Sequence, residues 1–311
     1  MPHRSVGAGV HTDWTRQFFG KLYGDLYRRH LLDPAQTRRE AQYVAQELGL
    51  GGKLVLDLAA GFGRHANLLA RANRVAALDM NAGYLQLARH DARGAARRNL
   101  LPVQADMRVL PFASQRFDAV LLLFNSFGYF LPPRPAPAVS AKHELWKLPG
   151  VFYERGLVGE DSGVYRDTES DAAMNSGAGP AGAEDGNLAV LQEIARVLRC
   201  NGELMLEVAN PRPLLAAVAH SPRRRMATRN YEIEEEYSYD PVARVLSNRT
   251  RFAVPGEGES AEYHIRLYPR AELCGLLRAA GFAVKRVCGS YEGENYHATR
   301  SPLILVHARR K

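Results

Sequence analysis

Leu54-Val-Leu-Asp-Leu-Ala-Ala-Gly-Phe-Gly-Arg-His65 joins an apolar run, broken by the single carboxylate of Asp57, to a Gly-x-Gly turn at Gly61 and Gly63. A short apolar run bounded by turn residues reads as a buried strand. Glycine suits backbone that must turn sharply or let another group come close. Asp57 then stands at the carboxyl end of a strand, where open α/β sheets take their ligands. Outward from this stretch, strands are predicted near 53–58, 74–79, 101–104, 117–124 and 203–209, and helices near 64–71, 81–98 and 188–199. Strands alternating with helices predict an α/β fold, a doubly wound parallel sheet.

The flanks divide the chain further. Trp14, Phe18, Leu22 and Leu26 recur at helical spacing, and a second helix is predicted from about Pro34 to Leu48, stopped by Gly49. Residues 1–50 read as an N-terminal helical cap on a main domain formed by 51–131 and 187–311. Segment 132–186 opens with Pro132-Pro-Arg-Pro-Ala-Pro137 and closes with Asn175-Ser-Gly-Ala-Gly-Pro-Ala-Gly182. That composition does not offset its ordering entropy, so a flexible insertion is expected. Three alternating runs across 228–268, separated by Asp240-Pro241 and Pro255-Gly256, predict a small antiparallel three-stranded unit. A helix over 269–280 precedes two strands, 282–287 and 303–307. No helical pattern lies between those two, so they should pair antiparallel at the sheet's end.

Composition narrows the function classes. A chain of 311 residues can bury a sizeable core. No apolar run approaches a membrane span, and the first residues lack the apolar core of a signal peptide, which points to the cytoplasm. Cys200, Cys274 and Cys288 show no metal-type spacing, and their odd number argues against a disulfide framework. The net charge of +8 is compatible with phosphate contacts, but the basic residues are spread out, with short clusters only at Arg223–Arg225 and Arg309–Lys311.

The glycine turn alone leaves two cofactors open, because Gly61-x-Gly63-x-x-Ala66 also fits a nicotinamide dinucleotide fingerprint. Asp79 closes the second strand at the distance where a carboxylate would grip ribose hydroxyls, and both readings want it. Three features separate them: Asp57 ahead of the glycines, Asp106 ending the third strand in Gln104-Ala-Asp-Met107, and the strand over 117–124 running into Asn125-Ser-Phe-Gly-Tyr-Phe130. With the antiparallel last strand, this set resembles the class I S-adenosylmethionine-dependent methyltransferases over roughly 50–130 and 187–311. The resemblance implies a Rossmann-like seven-stranded sheet and S-adenosyl-L-methionine as methyl donor. It implies that Asp57, Ala59, Gly61 and Gly63 approach the methionine and ribose portions of the donor. It further implies that Asp79 accepts both ribose hydroxyls, that Met80 flanks the adenine, and that Asp106 and Met107 meet the adenine amino edge. Phe124 and Asn125 would lie beside the reactive methyl. Ala59 stands where relatives often carry glycine. Asp57 could instead serve as a turn or helix-capping carboxylate, and Met80 and Met107 as core filler.

The acceptor side carries fewer signals, because methyl transfer needs orientation and desolvation more than special side chains. Asn125–Phe130 lacks the Asn/Asp-Pro-Pro-aromatic signature of enzymes acting on nucleobase or amide nitrogens. It looks more like the turn of small-molecule enzymes, including glycine- and aminosugar-type N-methyltransferases, which implies a small-molecule acceptor and favours N-methylation. Tyr129, His264, Arg266, Tyr291, Glu292 and Tyr296 are candidates to bind or deprotonate it. His264, Tyr291 and Tyr129 are the expected catalytic set, with His264 a general base if it points inward. An RNA methyltransferase, supported by Arg223–Arg225, and a non-catalytic S-adenosylmethionine-binding protein are the alternatives. No metal site is expected.

Overall fold

The computed structural model describes Gly24, residues 26–131 and residues 186–311. The first predicted helix and the 132–186 insertion therefore lie, almost entirely, outside the described residues. A π-helical turn, Tyr27–Leu31, precedes α1 (Pro34–Glu47). Asp33 caps α1 by accepting the Ala35 N–H at 2.8 Å, and Pro34 fills a first-turn position that needs no donor.

Seven strands form the main sheet: β1 (Leu54–Leu58), β2 (Arg74–Asp79), β3 (Leu100–Gln104), β4 (Phe117–Leu122), β5 (Leu198–Ala209), β10 (Phe282–Cys288) and β11 (Leu303–Arg310). Their spatial order is β10-β11-β5-β4-β1-β2-β3, with β1 to β5 parallel and β11 antiparallel to both its neighbours. The sheet is apolar on both faces because helices cover both. Leu56, Leu58, Leu78, Val120 and Leu122 pack on one side with α5 (Gly186–Val197) and α7 (Arg270–Ala279). Val55, Val75, Ala77, Ala119 and Leu121 pack on the other with α1, α2 (Arg64–Leu69) and α3 (Ala82–Asp91). The period-2 side-chain alternation of strands divides one hydrophobic run between two cores.

Several predicted boundaries shift for physical reasons. The helix expected over 81–98 breaks after Asp91, and a separate short helix, α4 (Ala95–Asn99), leads into β3. Strand β4 ends at Leu122 because Phe124 and Asn125 adopt left-handed backbone. Strand β5 begins at Leu198, five residues earlier than expected.

After β5, α6 (Pro211–His220) leads into a second, antiparallel sheet of four strands: β6 (Arg223–Ala227), β7 (Glu232–Asp240), β8 (Val245–Val254) and β9 (Glu257–Arg266). The sequence reading found three of these and missed β6. As sequence that strand is a basic cluster, and in the structure its arginines lie opposite glutamates across the pair. Arg223 contacts Glu236, and Arg225 contacts Glu232, each at 2.7 Å. Exposed pairs of this kind add little stability. They do occupy Arg223 and Arg225, two of the three arginines that had pointed toward RNA.

Among the described residues no helix is long and apolar enough to cross a membrane.

Candidate functional site

A cavity of about 580 Å³ lies over the carboxyl ends of β1, β2 and β4 and is roofed by the inner face of the second sheet. Ligands bind open α/β sheets at this edge. Its floor includes Asp57, Ala59, Gly61, Asp79, Met80, Met107, Phe124 and Asn125, and Tyr129 lines it from the loop after β4. Nine of the residues singled out from the sequence thus meet around one space.

The floor is held in sparsely populated backbone. Ala59 (φ 52°), Phe124 (φ 57°) and Asn125 (φ 55°) are left-handed without being glycine. Such conformations persist only where neighbours over-determine them, and they gather at functional sites. Here the neighbours are identifiable. Phe124 N–H donates to Glu207 Oε2 at 2.8 Å, and Asn125 Oδ1 accepts the Ala209 N–H at 3.0 Å. The Arg64 guanidinium lies 4.5 Å from the Phe124 ring centroid.

Gly61 and Gly63 have different work. Gly61 borders the cavity, donates its N–H to Asp79 Oδ2 at 2.8 Å, and has nothing within 4 Å of where a Cβ would stand. Gly63 does not border the cavity. A Cβ there would lie 2.6 Å from the Ala88 Cβ, so this glycine lets α2 pack against α3. The expectation that Gly63 approaches a ligand is corrected accordingly.

The acids differ as well. Asp57 is 3% exposed, and burial pushes its carboxyl up to about 7, with the Asp79 charge adding to the rise. The Arg64 charge and the Ala66 N–H oppose that rise. Asp57 therefore combines the two roles its sequence position left open, as a carboxylate bonded to the start of α2 and as part of the cavity floor. Asp79 is also raised by burial, although it accepts the Asn81 N–H at 2.8 Å as well as Gly61. Asp106 is turned aside. Its two oxygens take Arg108 Nε and Nη2, and it does not border the cavity. Arg108 and Gln104 line the space in its stead.

Beneath the floor lies a charged cluster that the sequence reading missed. Arg64 Nη1 donates to Glu40 Oε2 at 2.5 Å, and the buried His65 approaches the same oxygen at 2.8 Å. Burial would raise Glu40, but His65 and Arg64 outweigh it and hold its carboxyl at about 2. Burial and the Arg64 charge push His65 down to about 4, so it is neutral and donates to Glu40. Arg64 Nη2 is buried with no partner among the described residues, and Arg64 borders the cavity. No sequence signal marked Glu40, because its partners are 24 and 25 residues away.

The expected catalytic set is redrawn. His264 lies on the opposite face of β9 from the cavity, with Nδ1 2.8 Å from Ser247 Oγ and Nε2 3.8 Å from Glu262. The residue before it, Tyr263, is the one that lines the space. Successive side chains of a strand alternate faces, so β9 presents Tyr263 to the cavity and His264 away from it. Tyr291 does not border the cavity. Its hydroxyl donates to Glu207 at 2.5 Å and so acts one step behind Phe124. Tyr296 bonds Asn210, Arg266 pairs with Glu272, and Glu292 is exposed on its loop, with its N–H bonded to Ser290. Tyr129 remains in the cavity, its hydroxyl raised by burial and then by Tyr27. Tyr27, Glu235 and Tyr237 also line it and were not selected from the sequence. Among the described residues no group of three or more His, Cys, Asp or Glu could hold a metal ion.

A family model for a methyltransferase domain matches residues 55–150. That match takes in β1 to β4 and the turn at Phe124 and Asn125, and this part of the chain is similar to a methyltransferase domain. Two curated relatives are demethylmenaquinone methyltransferases. The protein of Thermobifida fusca is 43% identical over 75 residues, 24% of this chain and 32% of that protein. The protein of Renibacterium salmoninarum is 29% identical over 148 residues, 47% of this chain and 59% of that protein. The chain thus spans less than two thirds of either relative. Among solved structures, the CcbJ methyltransferase from Streptomyces caelestis superposes with a TM-score of 0.67 at 18% identity, covering 95% of this chain and 98% of that one. CalS10, an amino pentose methyltransferase from Micromonospora echinaspora solved with S-adenosylmethionine bound, gives 0.57 at 18% identity, covering 94% and 98%. The sugar N-methyltransferase KedS8 from a Streptoalloteichus species gives 0.56 at 17% identity, covering all of both chains. At these identities the likeness is one of fold, and the chain shares with these neighbours a seven-stranded sheet whose last strand is antiparallel.

Proposed function

We propose that the protein transfers a methyl group from S-adenosylmethionine to a small-molecule acceptor, with nitrogen the preferred atom. The observation that carries this reading is the single cavity with two unlike ends. Asp79 and the open Gly61 turn stand at the sheet edge, and an aromatic roof faces them. The residues present fit the donor. Asp79 would accept ribose hydroxyls while its other bonds fix the Gly61 turn. The unpartnered Nη2 of Arg64 suits a carboxylate, for which a guanidinium is a strong donor. Met80 and Met107 would flank the adenine. The donor supplies an activated methyl on sulfonium sulfur. The protein's residues bind it, orient it and exclude water. The names of the neighbours, sugar N-methyltransferases among them, support a small acceptor.

The test is binding of S-adenosylhomocysteine, the demethylated donor. A ligand at about 100 times its Kd adds about 2.7 kcal/mol of stability. For a domain of this size that should raise Tm by about 5–10 °C. Asp79→Ala should abolish the shift. No shift in the unaltered protein would overturn the reading.

A further inference from the structure

The roof is chemically unlike the floor. Three aligned strands of the second sheet present one inner face. On β7 it carries Glu235 and Tyr237, on β8 Thr250 and Asn248, and on β9 Tyr263. The register is fixed by pairing: Glu235 lies opposite Thr250, and Asn248 is flanked by Tyr237 on one side and Tyr263 on the other. Tyr27 and Tyr129 come in from outside the sheet, and Tyr129 meets Tyr263 edge to face with ring centroids 6.1 Å apart. Four tyrosines and one carboxylate therefore wall the half of the cavity away from Asp79.

From this arrangement we infer that the acceptor is an amine that enters as an ammonium ion, held by Glu235 and the faces of the surrounding tyrosines, and that Glu235 takes its proton. This rests on the methyltransferase reading above. The chemistry requires a base. An ammonium nitrogen has no lone pair, so an N–H bond must break before a new N–C bond forms. The proton passes from nitrogen to a Glu235 oxygen. The freed lone pair then takes the methyl carbon as the carbon–sulfur bond breaks, and that electron pair stays on sulfur. The products are the methylated ammonium and the neutral thioether.

The surroundings of Glu235 suit the task. Burial raises its carboxyl above the ordinary range, which brings it nearer an amine. The Tyr237 hydrogen bond and the charge of Arg224, its cross-strand neighbour on β6, oppose that rise without cancelling it. Tyrosine rings attract a cation through their faces, by about 0.5–2 kcal/mol each depending on desolvation. A neutral alcohol can donate a hydrogen bond to Glu235 but gains neither the ion pair nor the cation–π attraction.

The test uses the full chain saturated with S-adenosylhomocysteine at pH 7. Calorimetry compares matched pairs, cyclohexylamine with cyclohexanol and benzylamine with benzyl alcohol. In parallel, methyl-labelled donor is offered to pools of primary amines and to the corresponding alcohols. The inference expects label in the amine pool and at least tenfold tighter binding of amines. Glu235→Gln should remove that preference while leaving S-adenosylhomocysteine affinity within twofold. Tyr263→Phe should keep amine binding and Tyr263→Leu should weaken it, which guards against a misfolded Glu235 variant. Label in alcohols, equal binding within pairs, or indifference to Glu235→Gln would overturn the inference while donor binding persists. Failure of the unaltered protein to bind S-adenosylhomocysteine would instead overturn the methyltransferase reading on which it rests.

Discussion

Placing alanine at Gly61 and at Gly63 should separate ligand approach from helix packing. Both glycines are left-handed, at φ 55° and 76°, so an alanine at either costs about 1–2 kcal/mol of backbone strain. At Gly61 nothing more is lost, because the new Cβ meets no atom within 4 Å. At Gly63 it would lie 2.6 Å from the Ala88 Cβ and 3.3 Å from the Ala88 Cα. The Cα belongs to the backbone of α3 and cannot swing aside, so overpacking of about 1–3 kcal/mol is added. Gly63→Ala should therefore lose about 2–5 kcal/mol, a large part of a typical 5–15 kcal/mol stability. Gly61→Ala should lose only the smaller amount. Urea unfolding with an unchanged slope measures the first quantity, and S-adenosylhomocysteine titration of the folded variants measures the second. Gly61→Ala should weaken that affinity at least tenfold, because its methyl stands on the cavity wall, whereas folded Gly63→Ala should stay within about threefold. Equal destabilisation of the two variants, or a ligand defect confined to Gly63→Ala, would refute the division of labour between these glycines.

Two further perturbations test what supports the floor. Glu40→Gln leaves Arg64 buried without its carboxylate, a change that costs about 3–5 kcal/mol and should appear as a lower urea midpoint at pH 7. The pH profile should follow. Glu40 is held at about 2 against an ordinary 4.5, so its contribution is present above 4.5 and is lost as pH falls from there toward 2. Glu40→Gln should flatten that acid limb, and an unchanged limb would assign it to other groups. Tyr291→Phe removes the hydroxyl that donates to Glu207, a bond worth about 1.5–3 kcal/mol when the acceptor is charged. Hydrogen exchange at the Phe124 amide, held by the same carboxylate oxygen, should then accelerate at least tenfold. Unchanged protection there would show that Tyr291 does not reach the turn through Glu207.

How much of this was legible in the sequence depends on the range of the interaction that decides each feature. The sheet was legible because apolar runs and helical periods are local, and so was the reversal of β11, since no crossover helix fits before it. The floor was legible because Asp57, Ala59, Gly61 and Asp79 sit at strand ends whose position the pattern sets. Features set across the fold were hidden. Strand β6 reads as three arginines until its glutamate partners are paired with it. The choice between Tyr263 and His264 turns on one residue of register, and a one-residue slip exchanges the faces of a strand. That register is fixed by pairing with β8, where Asn248 and Thr250 are buried, and both were visible in the sequence but silent without a partner strand. Glu235 was hidden in plain view within Glu234-Glu235-Glu236, where only the middle residue faces the cavity.

The opposite fates of two buried carboxylates follow from where one guanidinium is tied. Arg64 opens α2, directly after the glycine turn, within reach of both Asp57 and Glu40. It bonds Glu40, which with the His65 hydrogen bond stays ionised at about 2, while burial raises Asp57 to about 7 against the field of Arg64 alone. Had Arg64 bonded Asp57, Glu40 would have kept only His65 against burial, and α1 would have lost one of its two ties to the floor. Tying Arg64 from below through Nη1 leaves Nη2 unpartnered and its guanidinium plane over Phe124. Glu207 fixes the same Phe124 from the other side, through its N–H. The left-handed turn at Phe124 and Asn125 is thus held by the largely buried Arg64, by the buried Glu207, whose carboxyl burial raises, and by the Ala209 N–H, an arrangement that costs stability and has no evident return except a rigid floor beneath the cavity.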